Sequence, residues 1–467
     1  MSEPAHRKYL EKYAEPEARF AEQIEQTYGA ALVVPLHGED PSFLDELAPA
    51  LSAPPTRTLL IAVVNAADGA PAPTHAKNEQ VLSQLAGLSL HKQELASVSG
   101  TSARATLGRV GAFDLLLLDR ASDGRRFPTD QGVGLARRIG VDLALALHAR
   151  GCVASPWLGC TDGDARLPPD YFAQNDATPR LAPSGVRRVA LTLPFLHEPG
   201  GDAAVDAATA AYELSLRYYT IGLVSAGSPY GYESLGSTIV VRAEAYAEVR
   251  GFPRRMAAED FYLLDKLAKL GGIHRPSRQP ILLRSRRSAR VPFGTGARVG
   301  ELVDSGAGLT TYHPRVFLLL RLTLAALVGA VVERNESGVT SALARELDPG
   351  DVGAVSSALD ELNAFEALRD CFSASADARV RRRRLLTWFD ALRTLRFIHL
   401  VEGRASLPRL PLLEALARAP FCAFWDPTLN ENTGKLPAFS AEQALPSDLG
   451  VENAILGAVN AELNESH

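Results

Sequence analysis

Three largely apolar runs constrain the fold of this chain more than any other feature. They are Ala30-Ala31-Leu32-Val33-Val34-Pro35-Leu36, Thr58-Leu59-Leu60-Ile61-Ala62-Val63-Val64-Asn65 and Phe113-Asp114-Leu115-Leu116-Leu117-Leu118-Asp119. A strand with one wet face alternates polar and apolar residues. A strand that is apolar throughout is covered on both faces, as in a parallel sheet between helices. Helix-spaced stretches accompany these runs, with Phe43, Leu44, Leu47 and Leu51 after the first and Gly134 to Leu147 after the third. This βαβα order predicts an α/β domain with a mainly parallel mixed sheet, in which a ligand sits at the carboxyl ends of strands.

The chain has 467 residues, enough for more than one domain. Residues 1–28 read as a polar helical lead-in and 29–311 as the α/β domain. Later strands are predicted at 186–193 and 238–241, and helices at 207–219, 244–250 and 259–270. From about Pro314 the pattern turns helical, so 312–467 is expected to be a mostly α-helical region, with Pro-rich loops near 406–412 and 418–446.

Apolar residues make up 46% and charged residues 22%, a globular rather than disordered profile. The net charge of −5 gives no sign of nucleic-acid binding. Cys152, Cys160, Cys371 and Cys422 form no CxxC pair and read as free thiols of a reducing cytoplasm. The polar N-terminus lacks the apolar core of a secretory signal. The run from Val316 to Val332 is interrupted by Arg321 and reads as a buried helix, while contact with a membrane surface stays open.

Chemistry gathers at two acidic places. Trp157-Leu158-Gly159-Cys160 is a strand-like run that gives out into Thr161-Asp162-Gly163-Asp164. On extended backbone Asp162 and Asp164 point to one side and can hold Mg2+ or Mn2+, which in turn holds a diphosphate. An Asp-Gly-Asp also makes a plain turn. Glu259-Asp260 opens an apolar-periodic helix, where it suits the helix dipole or serves as a general base. Arg284 to Gly296 is basic and then glycine-rich. It is suited to phosphate or to solvent, and it lacks the P-loop and dinucleotide patterns. Arg379 and Arg381 to Arg384 read as a solvated helix face. Among the dispersed histidines no zinc spacing occurs, and each reads as structural; His274 draws notice because it closes the helix of Glu259. Tyr230 and Tyr232 suit either sugar stacking or packing.

Together these pieces resemble glycosyltransferase family 2, nucleotide-diphospho-sugar transferases of the GT-A fold. Val33 to Glu39 resembles the opening strand, Gly134 to Gly140 the Ala-Arg-Asn-x-Gly helix, and Thr161 to Pro168 the DxD segment. Tyr246 to Phe252 resembles the Val-Gly-Gly-Phe turn, and Ala258 to Leu264 the Glu-Asp helix start. The match spans about residues 28–300. The resemblance implies an inverting, metal-dependent glycosyltransferase that uses a UDP- or GDP-linked sugar and an unidentified acceptor hydroxyl. It places Asp260 as the base with Glu259 beside it, and Asp162 and Asp164 on Mn2+ or Mg2+. It places Pro35, Glu39, Asn65, Arg137, Asp162, Arg286 and Arg290 around the nucleotide-sugar. The chain departs from the family at His37-Gly38, at Arg138, and at Asn65 to Gly69 where a base-contacting Ser-x-Asp is usual. The processive Gln-x-x-Arg-Trp motif is absent, which points to single transfer. Two other readings stand beside this one: a nucleotidyltransferase, which usually needs a basic Gly-rich loop after the first strand, and a non-catalytic sugar-nucleotide fold that binds a partner.

Overall fold

The computed structural model describes residues 5–288 and 294–422. These form two compact units, one from residues up to 206 together with 234–300, the other from 207–233 together with residues from 301 on.

The first unit is built on a nine-stranded sheet. In chain order its strands are β1 (Ala30–Leu36), β2 (Thr58–Asn65), β3 (Leu90–Glu94), β4 (Arg104–Val110), β5 (Phe113–Arg120), β6 (Trp157–Cys160), β8 (Arg188–Thr192), β10 (Ile239–Arg242) and β11 (Gly272–His274). Their spatial order is β11-β8-β10-β6-β1-β2-β5-β4-β3. The centre, β6-β1-β2-β5, is parallel, and Ala30 to Leu36 lie opposite Thr58 to Val64 without a slip. Every residue of β1 and β2 is buried, as their unbroken apolar sequences require. The flanks are antiparallel, except that β11 runs parallel to β8. A three-stranded sheet, β7 (Ala165–Arg166), β12 (Ile281–Arg284) and β9 (Phe195–Glu198), lies in the same unit.

The helices of this unit are α1 (Ala5–Lys12), α2 (Phe43–Ser52), α3 (Ala72–Leu88), α4 (Val133–Ala149), α5 (Tyr171–Asp176), α7 (Ala243–Glu248) and α8 (Glu259–Ala268). The lead-in is shorter in helix than its sequence suggests: α1 is followed by a 3-10 segment, Pro16–Gln23, whose Phe20 and Ala21 are buried. In α4 every residue from Gly134 to Leu147 is buried. The helix packs directly on β1, and a Cβ on Gly140 would lie 2.3 Å from Val33 Cγ1. His274 stands on β11, not at the end of α8, and burial beside Arg188 and Arg278 pulls its pKa down to about 4.

The second unit holds most of α6 (Ala203–Ser225), part of α9 (Thr295–Ser305), and the helices α10 (Arg315–Glu333), α11 (Gly338–Glu346), α12 (Pro349–Glu361), α13 (Ala364–Ala374), α14 (Ala378–Trp388), α15 (Ala391–Arg404) and α16 (Leu412–Arg418). A two-stranded ladder, β13 (Thr310–Thr311) with β14 (Leu410–Pro411), completes it. Among the described residues α10 is the one helix long and apolar enough to cross a bilayer. Phe317, Leu320, Leu324, Leu327 and Val331 on α10 are buried in one apolar cluster with residues of α6, α12 and α15. Arg381, expected on a solvated face, is buried instead. Its guanidinium donates to Val331 O, Val332 O, Ser375 O and Ala376 O, so it satisfies carbonyls that end α10. Tyr230 is buried and donates to Leu386 O, which is packing rather than a sugar platform.

Candidate active site

The carboxyl end of β6 carries the first acidic pair. Thr161 N–H donates to Val33 O and its Oγ1 to Ser237 O, which ties the strand end to its neighbours. Asp162 and Asp164 lie in a turn rather than on extended backbone, so alternation does not set their directions. Ala165 N–H closes the turn on Asp162 O at 3.2 Å. Gly163 sits in a tight spot, where a Cβ would fall 3.0 Å from Leu36 Cδ2 and 3.1 Å from Glu39 Cγ, so a larger residue would require those side chains to shift.

Each aspartate meets an arginine from a different element. Arg286, just beyond β12, donates from Nε to Asp164 Oδ2 at 2.6 Å and lies 4.0 Å from Glu39. Arg137, one turn into α4, donates from Nη2 to Asp162 Oδ1 at 2.6 Å. The same guanidinium donates from Nε to Glu259 Oε1 at 2.9 Å, and from Nη1 to Gly236 O at 2.9 Å and Cys160 Sγ at 3.2 Å. Arg137 is 3% exposed, so it faces protein and not solvent. A Cβ at Gly236 would lie 2.4 Å from its Nη2, so a larger residue there would push the guanidinium off these partners. Burial holds the Cys160 thiol up at about 11, against the pull of Arg137, so it stays protonated at neutral pH.

Glu259 and Asp260 open α8, but they are not equivalent. Glu259 is buried against Arg137, while Asp260 is half-buried and accepts the Phe261 N–H at 2.7 Å with one oxygen. Burial raises both carboxyls above the ordinary range. Arg137 opposes the rise at Glu259 and Asp260 adds to it; at Asp260 the Phe261 N–H and Arg137 oppose, and Asp162 adds. Ala258, immediately before, is left-handed at φ 60°, a conformation that costs a residue with a Cβ roughly 1 kcal/mol.

At the end of β1, Pro35 is buried within the strand and Glu39 is partly exposed beside Arg286. Asn65 turns inward: its Nδ2 donates to Leu36 O at 3.0 Å and Val63 O at 3.1 Å. Asn78 on α3, which the sequence did not single out, bridges this loop. It accepts Gly38 N–H at 2.8 Å and donates to Asn65 O at 2.8 Å. Arg290 lies outside the described residues.

Other buried charges also escaped the sequence reading. Asp142, on the same helix as Arg137, is fully buried and accepts from Tyr9 Oη, Tyr246 Oη and the Glu15 N–H. Glu15 is buried against Arg138. The available signal was a lone carboxylate in an otherwise apolar stretch of helix, since a buried charge needs partners.

Among the described residues no cluster of three or more His, Cys, Asp or Glu is placed to hold a metal ion. Asp162 and Asp164 each use one oxygen on an arginine, and their other oxygens make no hydrogen bond among the described residues. Two carboxylates fit Mg2+ or Mn2+ that shares its remaining positions with phosphate oxygens and water, rather than a metal caged by protein.

No family model matches the chain, and no curated protein matches it. Among solved structures it is similar to residues 1–349 of S. aureus TarS, at 13% identity and a TM-score of 0.32, over 77% of this chain and 90% of that one. It is also similar to the mannosyltransferase PcManGT from Pyrobaculum calidifontis in complex with GDP-Man and Mn2+. There the identity is 12% and the TM-score 0.29, over 84% of this chain and 92% of that one. At these values neither likeness bears on chemistry, which rests on the residues of this chain.

Proposed function

We propose that this protein is an inverting glycosyltransferase of the GT-A kind, moving a sugar from a nucleotide-diphospho-sugar to an acceptor hydroxyl. The observation that carries this reading is the convergence of a strand-end aspartate and a helix-start acidic pair on one buried arginine. Asp162 and Glu259 lie 2.6 and 2.9 Å from the same guanidinium. The convergence falls at the carboxyl end of the parallel strands, where such sheets bind ligands.

Asp260 is the base in this reading, and Glu259 is the structural member of the pair because it is held by Arg137. Asp260 takes the proton of the acceptor hydroxyl while that oxygen attacks the anomeric carbon from the face opposite the diphosphate. The bond from that carbon to the diphosphate oxygen breaks, and the configuration inverts. A carboxyl raised above its ordinary range is better matched to this proton transfer near neutrality. A divalent cation arriving with the donor would be held by Asp162 and Asp164 and would neutralise diphosphate charge. Arg286, partly exposed beside Asp164, supplies positive charge to the leaving diphosphate, and Glu39 helps hold that guanidinium in place.

The test is thermal stability with UDP, GDP, CMP and dTDP, each with and without Mn2+. At ~100 times its dissociation constant a ligand adds roughly 2.7 kcal/mol, a readable shift. The expected result is a shift with one nucleotide that requires Mn2+ and vanishes in Asp162→Ala/Asp164→Ala. Asp260→Asn is expected to keep that shift and lose transfer by about 10²–10⁴-fold. Full transfer in Asp260→Asn removes the base assignment, and the absence of any shift favours a partner-binding fold instead.

A further inference from the structure

We infer that Glu15 is a positioning residue for the start of α8, so that the segment before β1 belongs to the active-site apparatus without reaching it. The catalytic meaning of this inference rests on the function proposed above. Glu15 is 6% exposed and lies between two guanidiniums. Its Oε1 is 2.7 Å from Arg138 Nε. Arg254 donates to it from Nε at 2.7 Å and from Nη2 at 2.9 Å, a forked pair. The backbone N–H of Glu15 donates to the buried Asp142 at 2.8 Å, so the carboxylate is fixed at its root as well as its tip.

These contacts close on the chain that leads into α8. Arg138 donates from Nη1 to Arg250 O at 3.0 Å and Phe252 O at 2.7 Å, and from Nη2 to Tyr13 O at 2.5 Å. The Arg250 guanidinium lies over the Tyr13 ring at 4.6 Å. Arg250 and Gly251 are both left-handed, at φ 63° and 68°, and a Cβ on Gly251 would fall 2.4 Å from Tyr9 Oη. The turn is thus shaped against the N-terminal segment. One residue past Arg254, Arg255 O accepts the Gly134 N–H at 3.1 Å. From there a short link passes through the left-handed Ala258 into Glu259 and Asp260.

Adjacent arginines of α4 therefore hold the two ends of one path. Arg137 grips Glu259 directly, and Arg138, through Glu15 and the 250–254 turn, fixes where the approach to Glu259 begins. A buried ion pair adds little net stability over an apolar replacement, although removing one partner strands the other charge, so the consequence specific to Glu15 is where it fixes the 250–254 turn. A displacement of about 1 Å at a reacting group costs up to about a hundredfold in rate.

The experiment compares wild type, Glu15→Gln, Glu15→Asp and Arg254→Ala by amide hydrogen exchange. In parallel it follows hydrolytic release of UDP from UDP-glucose and GDP from GDP-mannose in Mn2+, with water taking the sugar in place of the acceptor. Arg254→Ala removes only the more exposed arm and guards against a misfolded Glu15 variant. The expected result for Glu15→Gln is exchange about tenfold faster in residues 250–262, with β1 and β2 unchanged. Its kcat is expected to fall between about tenfold and a hundredfold at constant donor KM, and Glu15→Asp restores part of it. Unchanged exchange in 250–262 in both Glu15→Gln and Arg254→Ala overturns the inference. Faster exchange spread evenly over the sheet overturns it too, by reducing Glu15 to a general stabiliser. Absence of turnover in wild type counts against the proposed function, while the exchange pattern still decides the link from Glu15 to α8.

Discussion

Arg137 and Asp142 sit five residues apart on α4, and their roles differ in how far the sequence discloses them. Arg137 drew notice in the sequence only by resemblance. Its partners Asp162, Gly236 and Glu259 are 25, 99 and 122 positions away, a distance no local pattern spans. Asp142 went unread because a carboxylate in a helix is ordinarily a surface residue, and the two tyrosines that bury it come from α1 and α7. Its burial has a measurable consequence. Burial pushes its pKa from an ordinary 3.8 up to about 6, against Arg138 and three hydrogen bonds. The folded state then holds the proton more tightly than the unfolded chain. The resulting stabilisation is complete below the unfolded pKa and is lost as pH rises through about 6. Relative to Asp142→Asn, wild type is expected to lose roughly 2 kcal/mol between pH 4 and pH 7. Urea midpoints of both proteins across that range check it, and a pH-independent difference would mean that Asp142 ionises in the fold as it does in water.

Elements were legible where burial dictates sequence and hidden where it does not. The largely apolar runs became β1, β2 and β5, whose residues are almost wholly buried. The β3–β4 hairpin between them was not foreseen. All of β3 (Leu90–Glu94) is exposed at the sheet edge, so neither an apolar run nor a buried face marks it. The helix 203–225 was read only over 207–219, since its alanine-rich start, Ala203 to Ala211, offers little apolar–polar contrast for a periodic signal. In α4 the glycines carry what periodicity could not. Gly140 lies against β1, and the magnitudes there oppose each other. Alanine improves helix propensity by about 1 kcal/mol over glycine. Its Cβ, however, would stand 2.3 Å from the buried Val33 Cγ1 and 3.3 Å from Val63 Cγ2. A β-branched side chain in a packed strand cannot swing aside, and overpacking costs roughly 1–3 kcal/mol. Gly140→Ala is therefore expected to destabilise the protein by about 1 kcal/mol or more. A denaturation midpoint equal to or above that of wild type would show that α4 can lift from the sheet.

On the scale of the whole molecule, composition predicted an α/β part followed by a helical part, with the border near 311/312. The second unit also takes in residues 207–233. The reason is chemical: Leu214, Tyr218, Leu223 and Ala226 supply apolar surface to the cluster around α10, and a reading that runs along the chain cannot see which core a helix joins. Each unit thus has a core of its own, and the candidate site draws its named side chains from the first unit alone. If the two act separately in folding, damage to one core should leave ligand binding by the other intact. Phe317 tests this. It is 1% exposed, packs edge-on against Tyr218 at 5.7 Å, and fills the space beside Gly222. Phe317→Ala leaves a cavity expected to cost about 3–5 kcal/mol in the second unit. In calorimetry of the full chain one transition should fall accordingly, while the nucleotide shift expected from the proposed function persists in the other. Loss of the nucleotide shift in Phe317→Ala would mean that the integrity of the helical unit is a condition for the site, and that the two cores work as one cooperative structure.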